Sequence, residues 1–322
     1  MGPLTLLVVA RPNSAHLRLL ERLPDSTTIV AGECVEAFAA RVAEADVILN
    51  SMAPREVFRQ VWLKARRVQW VHSLSAGVDN MLFPELVASP QPLTNSRGVF
   101  SRSLAEFVMS GVLHFAKDLR RMVRSQQQGQ WDQFDIEEIH GRSLGIVGYG
   151  DIGRAVAAPA RAFGMRVLAL RRRPELCDDD ALVDQAFPPA ELHRMLAASD
   201  YVVAAAPLTA ATRGLIGEAA LRAMKQTAVL INIGRGPVVV EADLVRALRE
   251  GWIRGAALDV FDVEPLPAGH PFYGLENLLL SPHCADHFPG WAELAMERFL
   301  ENFERFRNGE PLLHLVDKQE GY

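Results

Sequence analysis

The chain has 322 residues, 49% of them apolar and 23% charged, and a formal net charge of −5. That apolar share excludes a disordered chain, and at roughly 150 residues per domain the length predicts about two domains with cores large enough to need no disulfide or metal. Mild acidity speaks against a nucleic-acid binder. No apolar run approaches the roughly 18 residues of a membrane span; the longest, Leu4 to Ala10, is strand-sized. Met1-Gly2-Pro3 carries no basic region ahead of that run, and Leu6 stands where a myristoylation motif wants Ser or Thr. Neither a secretory signal nor an acyl anchor is therefore expected, and the expected location is cytoplasmic. Cys34, Cys177 and Cys284 are scattered and lack metal-ligand spacing, which fits a reducing compartment and predicts no metal site.

From the start, short apolar runs alternate with longer amphipathic stretches: Leu4–Ala10 then Ser14–Arg22, Thr27–Val30 then Val35–Ala43, Val47–Leu49 then Arg55–Lys64, and Val68–His72. Strand and helix in this order predict a parallel sheet with helices on its faces. One long helix is predicted from Arg102 to Gln127. A second alternating series follows in Leu144–Val147, Ile152–Phe163, Val167–Leu170, Tyr201–Ala204, Ala228–Ile233, Ala242–Arg249 and Ala256–Val260. Pro289 to Asn308 reads as a last helix, ended by Asn308-Gly309 and Pro311. The predicted fold class is α/β, with two Rossmann-like domains joined by short crossings near Asn95–Ser101 and Ala285–Pro289.

Gly148-Tyr149-Gly150-Asp151-Ile152-Gly153 directly follows one predicted strand and opens a helical stretch. This meets the demands of a dinucleotide site: a tight turn, close backbone approach to a pyrophosphate, and a helix N-terminus with free N–H groups. An Asp or Glu ordinarily follows the next strand to bind the ribose hydroxyls of NAD. Here Arg171, Arg172 and Arg173 stand there, with no acid before Glu175, and the arginines suit the 2′-phosphate of NADP.

Three further polar residues end apolar runs of the second series. Arg235 follows Asn232-Ile233-Gly234, Glu264 follows Leu258 to Val263 and precedes Pro265, and His283 follows Leu278–Leu280 with Ser281-Pro282. Together they supply an anion clamp, an acid/base and a carboxylate to tune it.

With these residues in view, the chain resembles the D-isomer-specific 2-hydroxyacid dehydrogenases, which include glyoxylate and hydroxypyruvate reductases. The resemblance runs through Ser75-Ala76-Gly77-Val78-Asp79, Asn95 to Gly98, Ser103 to Glu106, the glycine loop, Pro207-Leu208-Thr209, Asn232 to Val238, Asp259 to Pro265 and Pro282-His283. It implies that Arg235, Glu264 and His283 are the catalytic triad, and that Ser75 to Val78 hold the substrate carboxylate through backbone amides together with Arg235. Asp259 matches the residue near the nicotinamide carboxamide, while Pro207, Thr212, Ile233, Gly234 and Ala285 belong to the cofactor cleft.

The resemblance further implies a discontinuous substrate-binding domain, residues 1–98 completed by the helix of 289–322, around a dinucleotide-binding domain of 99–288. The expected activity is NADP(H)-preferring reduction of a small 2-oxoacid. A nucleotide-sensing corepressor and a phosphite-type dehydrogenase on the same fold are the alternatives. Phe107, Val108, Met109, Val112, Leu113, Phe115 and Ala116 give the Arg102–Gln127 stretch more apolar surface than its own domain needs, so a homodimer is expected. Cys284 is read as a packing residue rather than a nucleophile, and His287 as a surface or hinge residue.

Overall fold

The computed structural model describes residues 2–322. It divides into two compact units, one formed by the residues up to Val99 together with Pro289–Tyr322, the other by Phe100–Phe288.

In the first unit β1 (Leu4–Val9), β2 (Thr27–Gly32), β3 (Val47–Asn50), β4 (Trp70–Ser73) and β5 (Leu93–Asn95) form a sheet in the order β2-β1-β3-β4-β5, with every pair parallel. β1 is apolar at nearly every position and fully buried, as a strand covered on both faces must be. Alternate residues serve opposite faces. Leu7, Val9, Ile48 and Val71 pack with Phe38, with Phe58 and Val61 of α1 (Arg55–Lys64), and with Leu86 of α2 (Pro84–Val87). Leu6, Val8, Val47, Leu49 and Trp70 pack with the C-terminal helix, Trp291–Asn308.

In the second unit β6 (Ser143–Val147), β7 (Arg166–Leu170), β8 (Gln185–Phe187), β9 (Tyr201–Ala204), β10 (Val229–Asn232), β11 (Gly255–Leu258) and β12 (Leu278–Leu280) form a parallel sheet in the order β12-β11-β10-β9-β6-β7-β8. The chain runs outward from β6 through β8, then crosses to β9 on the other side of β6. The carboxyl ends of β6 and β9 thus flank the switch in strand order, where open α/β sheets bind ligands. The helices are α3 (Ser101–Ala116), α4 (Leu119–Gln127), α5 (Asp151–Ala162), α6 (Leu192–Ala198), α7 (Glu218–Ala223) and α8 (Glu241–Glu250). α9 (Trp291–Asn308) returns to the first unit and buries Ala295, Met296, Phe299, Leu300 and Phe303 at helical spacing. Its Phe299 ring stacks on Trp70 with centroids 5.4 Å apart, and each such buried phenyl contributes about 1.5–3 kcal/mol.

Four expectations are corrected. The single helix from Arg102 to Gln127 is two, because Asp118 adopts a left-handed conformation (φ 47°) and accepts the N–H of Arg121, starting α4 afresh. Val35–Ala43 is not one helix but two 3-10 turns, Val35–Phe38 and Val42–Glu44. So short a stretch has little helical stability of its own, and the turns bury Val35, Phe38 and Val42 equally well. Ser14–Arg22 likewise forms a 3-10 helix, Ala15–Arg22, over buried Leu17 and Leu20. Finally, α3 has no large apolar surplus. Val108, Met109, Val112, Phe115 and Ala116 are buried within the second unit, and Gly111 brings the helix close to Ile231 and Ala257.

Candidate active site

The glycine loop is shaped by contacts that admit no side chain. Gly148 has φ 96°, and a Cβ there would lie 2.5 Å from Ala206 N; one at Gly153 would lie 2.7 Å from Gly148 O. A Cβ at Gly150 would meet nothing within 4 Å, so bare backbone faces open space just where Asp151 and Ile152 begin α5. Ser101 Oγ donates to the Asp151 carboxylate. Across the switch point, a Cβ at Gly234 would lie 2.9 Å from Ala206 O. Thr212 Oγ1 braces the neighbouring loop by donating to Pro207 O (2.6 Å) and accepting from Thr209 N (2.8 Å). Ile233 and Ala285 are buried, and the Ala285 carbonyl accepts from Ser103 Oγ at 2.6 Å. Bare backbone, an α-helix N-terminus and the switch in strand order together fit a dinucleotide.

Beyond β7, Arg171 is half-buried with Nη1 3.9 Å from Cys177 Sγ, while Arg172 and Arg173 are exposed. Glu175, Asp178, Asp179 and Asp180 follow, so four acids outnumber the three arginines in this segment.

The proposed catalytic residues lie on three loops of the second unit. Asn232, buried at the end of β10, clamps the first turn by accepting Gly234 N (3.1 Å) and donating to Arg235 O (3.1 Å). Gly236, the residue after Arg235, presses on the second loop: a Cβ there would fall 2.0 Å from the carbonyl carbon of Phe261. On that loop Glu264 Oε1 accepts Phe261 N (2.8 Å), and Oε2 lies 2.6 Å from His283 Nδ1.

Asp259 anchors the third loop. Its Oδ1 accepts from Ser281 Oγ (2.6 Å), Cys284 N (2.9 Å) and Ala285 N (3.1 Å), and its carbonyl accepts His283 N (2.9 Å). His283 is thereby held at φ 51°, a strained conformation for a non-glycine residue. The hydrogen bond to Glu264 raises the His283 pKa above its usual value; burial opposes this, and the Glu264 charge adds to it. Burial pushes the Glu264 carboxyl upward, but the hydrogen bonds from His283 and Phe261 outweigh it and hold the pKa low. The arrangement favours an imidazolium with Nδ1 on the carboxylate and Nε2 left to carry a transferable proton. Arg235 contributes a positive field to both partners.

In the first unit, Ser75 to Val78 follow β4. The loop is held by Asn95 Nδ2 on Ala76 O (2.6 Å) and by Ser96 N on Ser75 O (3.3 Å). Among the described residues nothing accepts the N–H groups of Ala76, Gly77 or Val78, three successive donors suited to an anion.

The description "D-isomer specific 2-hydroxyacid dehydrogenase, NAD binding domain" matches residues 109–285. The chain belongs to that family. It is 34% identical over 295 residues to the glyoxylate reductase of Thermococcus gammatolerans, covering 88% of this chain and 86% of the relative. The D-isomer specific 2-hydroxyacid dehydrogenase of Xanthobacter autotrophicus, solved with NADPH and MES, superposes with a TM-score of 0.84 at 31% identity over 100% of both chains. The NADPH-dependent glyoxylate/hydroxypyruvate reductase of Sinorhizobium meliloti, solved with NADP and sulfate, superposes with a TM-score of 0.83 at 25% identity over 100% of both chains.

As a D-2-hydroxyacid dehydrogenase the chain is an oxidoreductase that uses a nicotinamide dinucleotide. Among the described residues no group of three or more His, Cys, Asp or Glu could hold a metal ion, and no helix is long and apolar enough to cross a membrane.

Cys284 corrects an expectation, for it is exposed, with Sγ 3.4 Å from Ser281 Oγ, and is not a packing residue. His287 is exposed beside Asp286, its Nε2 3.6 Å from Oδ1. Sequence reasoning missed the bracing roles of Ser103 and Asp180. Neither ends an apolar run, and only their partners in space reveal them.

Proposed function

We propose that this dehydrogenase reduces a small 2-oxoacid, of the glyoxylate or hydroxypyruvate class, to the D-2-hydroxyacid and catalyses the reverse, preferring NADP(H) to NAD(H). The observation that carries the chemistry is the 2.6 Å approach of Glu264 Oε2 to His283 Nδ1. When bound at the glycine loop, the nicotinamide dinucleotide supplies the hydride. His283 Nε2 gives its proton to the keto oxygen as charge develops there, and Glu264 stabilises the cationic ring until it does. Arg235 binds the substrate carboxylate through charge-assisted hydrogen bonds worth about 1.5–3 kcal/mol each. Ala76, Gly77 and Val78 present three amide donors of the kind a carboxylate takes.

In this reading residues 1–98 and 289–322 bind substrate, residues 99–288 bind the dinucleotide, and Asp259 positions His283 besides lying near the carboxamide. The names of the Thermococcus and Sinorhizobium relatives support the substrate class. The NADPH and NADP of the two solved relatives, with Arg171 to Arg173 after β7, support the cofactor preference. The three unpaired cysteines fit a cytoplasmic protein. We also read the protein as a homodimer, through the exposed Leu119, Met122 and Val123 of α4.

The test is kcat/KM with glyoxylate, hydroxypyruvate and pyruvate, each with NADPH and with NADH. His283→Ala should lose about 10²- to 10⁴-fold in kcat with cofactor affinity retained. Turnover of no 2-oxoacid would overturn the assignment, and a preference for NADH would overturn its cofactor half.

A further inference from the structure

The acid missing at the end of β7 returns nine residues later, bound to the glycine loop. The segment between β7 and β8 leaves the sheet at Arg171, whose N–H meets Phe187 O (3.1 Å), and rejoins it at Asp184, whose N–H meets Val167 O (2.9 Å). Near its far end Asp180 shapes the local turn, with Oδ1 accepting Leu182 N (3.1 Å) and the backbone bonded to Cys177 O (3.0 Å) and Val183 N (2.9 Å). Its other oxygen, Oδ2, accepts from Tyr149 Oη (3.0 Å) and from Arg154 Nε (2.9 Å). Tyr149 is the second residue of the glycine loop, and its N–H is bonded to Leu170 O, next to Arg171 (3.1 Å). Arg154 lies in the first turn of α5. One carboxylate, with 13% of its side chain exposed, thus ties the arginine-bearing segment to both halves of the pyrophosphate cradle.

We propose that Asp180 is a positioning residue for cofactor selectivity: through Tyr149 and Arg154 it fixes the Arg171–Arg173 segment against the glycine loop, and recognition of a 2′-phosphate depends on that tie. The proposal rests on the NADP(H) reading above. Two effects of the carboxylate oppose each other. Its charge alone would weaken the pull of nearby arginines on a phosphate, so its removal should tighten binding. Its tether holds those arginines in place before the ligand arrives, so its removal should loosen binding. The geometry decides for the tether, because Arg154 already compensates the charge at 2.9 Å while three separate donors converge on the two oxygens. Burial, reinforced by the bond to Asp180, raises the Tyr149 pKa, so the phenol remains a donor.

The experiment measures dissociation constants of the full chain for NADPH, NADH and adenosine 2′,5′-bisphosphate by titration calorimetry, in the unmodified protein, in Tyr149→Phe and in Asp180→Asn. Tyr149→Phe breaks one bond of the tie without changing charge. It should weaken NADPH and the bisphosphate about fivefold, the worth of one ordinary hydrogen bond, and leave NADH within about twofold. Asp180→Asn should weaken the same two ligands by at least as much. Equal losses for all three ligands, unchanged affinities, or tighter NADPH binding in Asp180→Asn would overturn the positioning role. If Asp180→Asn does not fold, as a thermal melt will show, Tyr149→Phe decides alone. An unmodified protein that binds NADH more tightly than NADPH defeats the NADP(H) reading and this proposal with it. An unmodified preference for NADPH that survives both variants defeats only the proposal.

Discussion

Imidazole and carboxylate at His283 and Glu264 have opposite shifts in pKa, and the sign of the pH response follows from them. In the proposed mechanism reduction needs the protonated ring, so the rate should fall as pH rises through the His283 pKa. That pKa is raised by the hydrogen bond to Glu264. Glu264→Gln removes the charge and keeps the shape, so the high-pH limb of kcat/KM for reduction should move to lower pH. A profile of the variant that overlays the unmodified one would take Glu264 out of the proton's path. His283 was legible in the sequence because it follows an apolar run read as a strand, and strand ends are where such sheets place ligands, whereas Glu264 lies six residues past the end of β11 and was picked out by its place between Val263 and Pro265. Asp259 was legible as a motif residue, but not as the acceptor of three hydrogen bonds from the His283 loop. That role needs Ser281, Cys284 and Ala285 to come back over the end of β11, a long-range fact that local pattern does not encode.

Loops carry the proposed active residues, and one contact between loops couples two of them. Gly236 has no side chain because the Phe261 carbonyl occupies that space, and Phe261 N is in turn held by Glu264. Gly236→Ala should push the Glu264 loop away from the Arg235 loop. The expected result is a loss of about tenfold or more in kcat, given the cost of small misplacements, with dinucleotide affinity within about twofold. A variant with normal kcat would show that the loop yields without consequence.

Elements with strong patterns were read closely: Arg55–Lys64 is α1 to the residue, and the strands before and after the glycine loop lie within one residue of their predicted bounds. Short ones were missed, among them α6, α7, β5 and β8. Segments of three to seven residues carry barely one period of any pattern, and tertiary contacts supply the rest. The break at Asp118 escaped notice because a single left-handed residue sets it, and no periodicity marks a backbone conformation.

At the scale of the whole molecule, the two parallel sheets were legible from the two alternating series, since only covered faces explain runs such as Leu4–Val9. The expected subunit contact moves from α3 to α4. Leu119, Met122 and Val123 share one face of α4 and are exposed, and in the following segment Ile136 is exposed and Trp131 is 92% exposed. Exposed aliphatic side chains gathered on one helix face, with an exposed Trp in the segment after it, mark protein contacts. The chain should therefore have the mass of a dimer in light scattering at micromolar concentration, and Val123→Glu should shift it toward monomer. A monomeric mass for the unmodified chain would refute the assignment.

The return of α9 to the first unit has a consequence for the order in which the protein is made. Leu6, Val8, Val47, Leu49 and Trp70 leave the ribosome early, yet the helix that covers them begins at Trp291, after the whole of Phe100–Phe288. At about 5–20 residues per second, that face waits roughly ten to forty seconds during synthesis for its cover. The part translated first is thus the part completed last, and its greasy side is the surface a chaperone would have to shield in the interval.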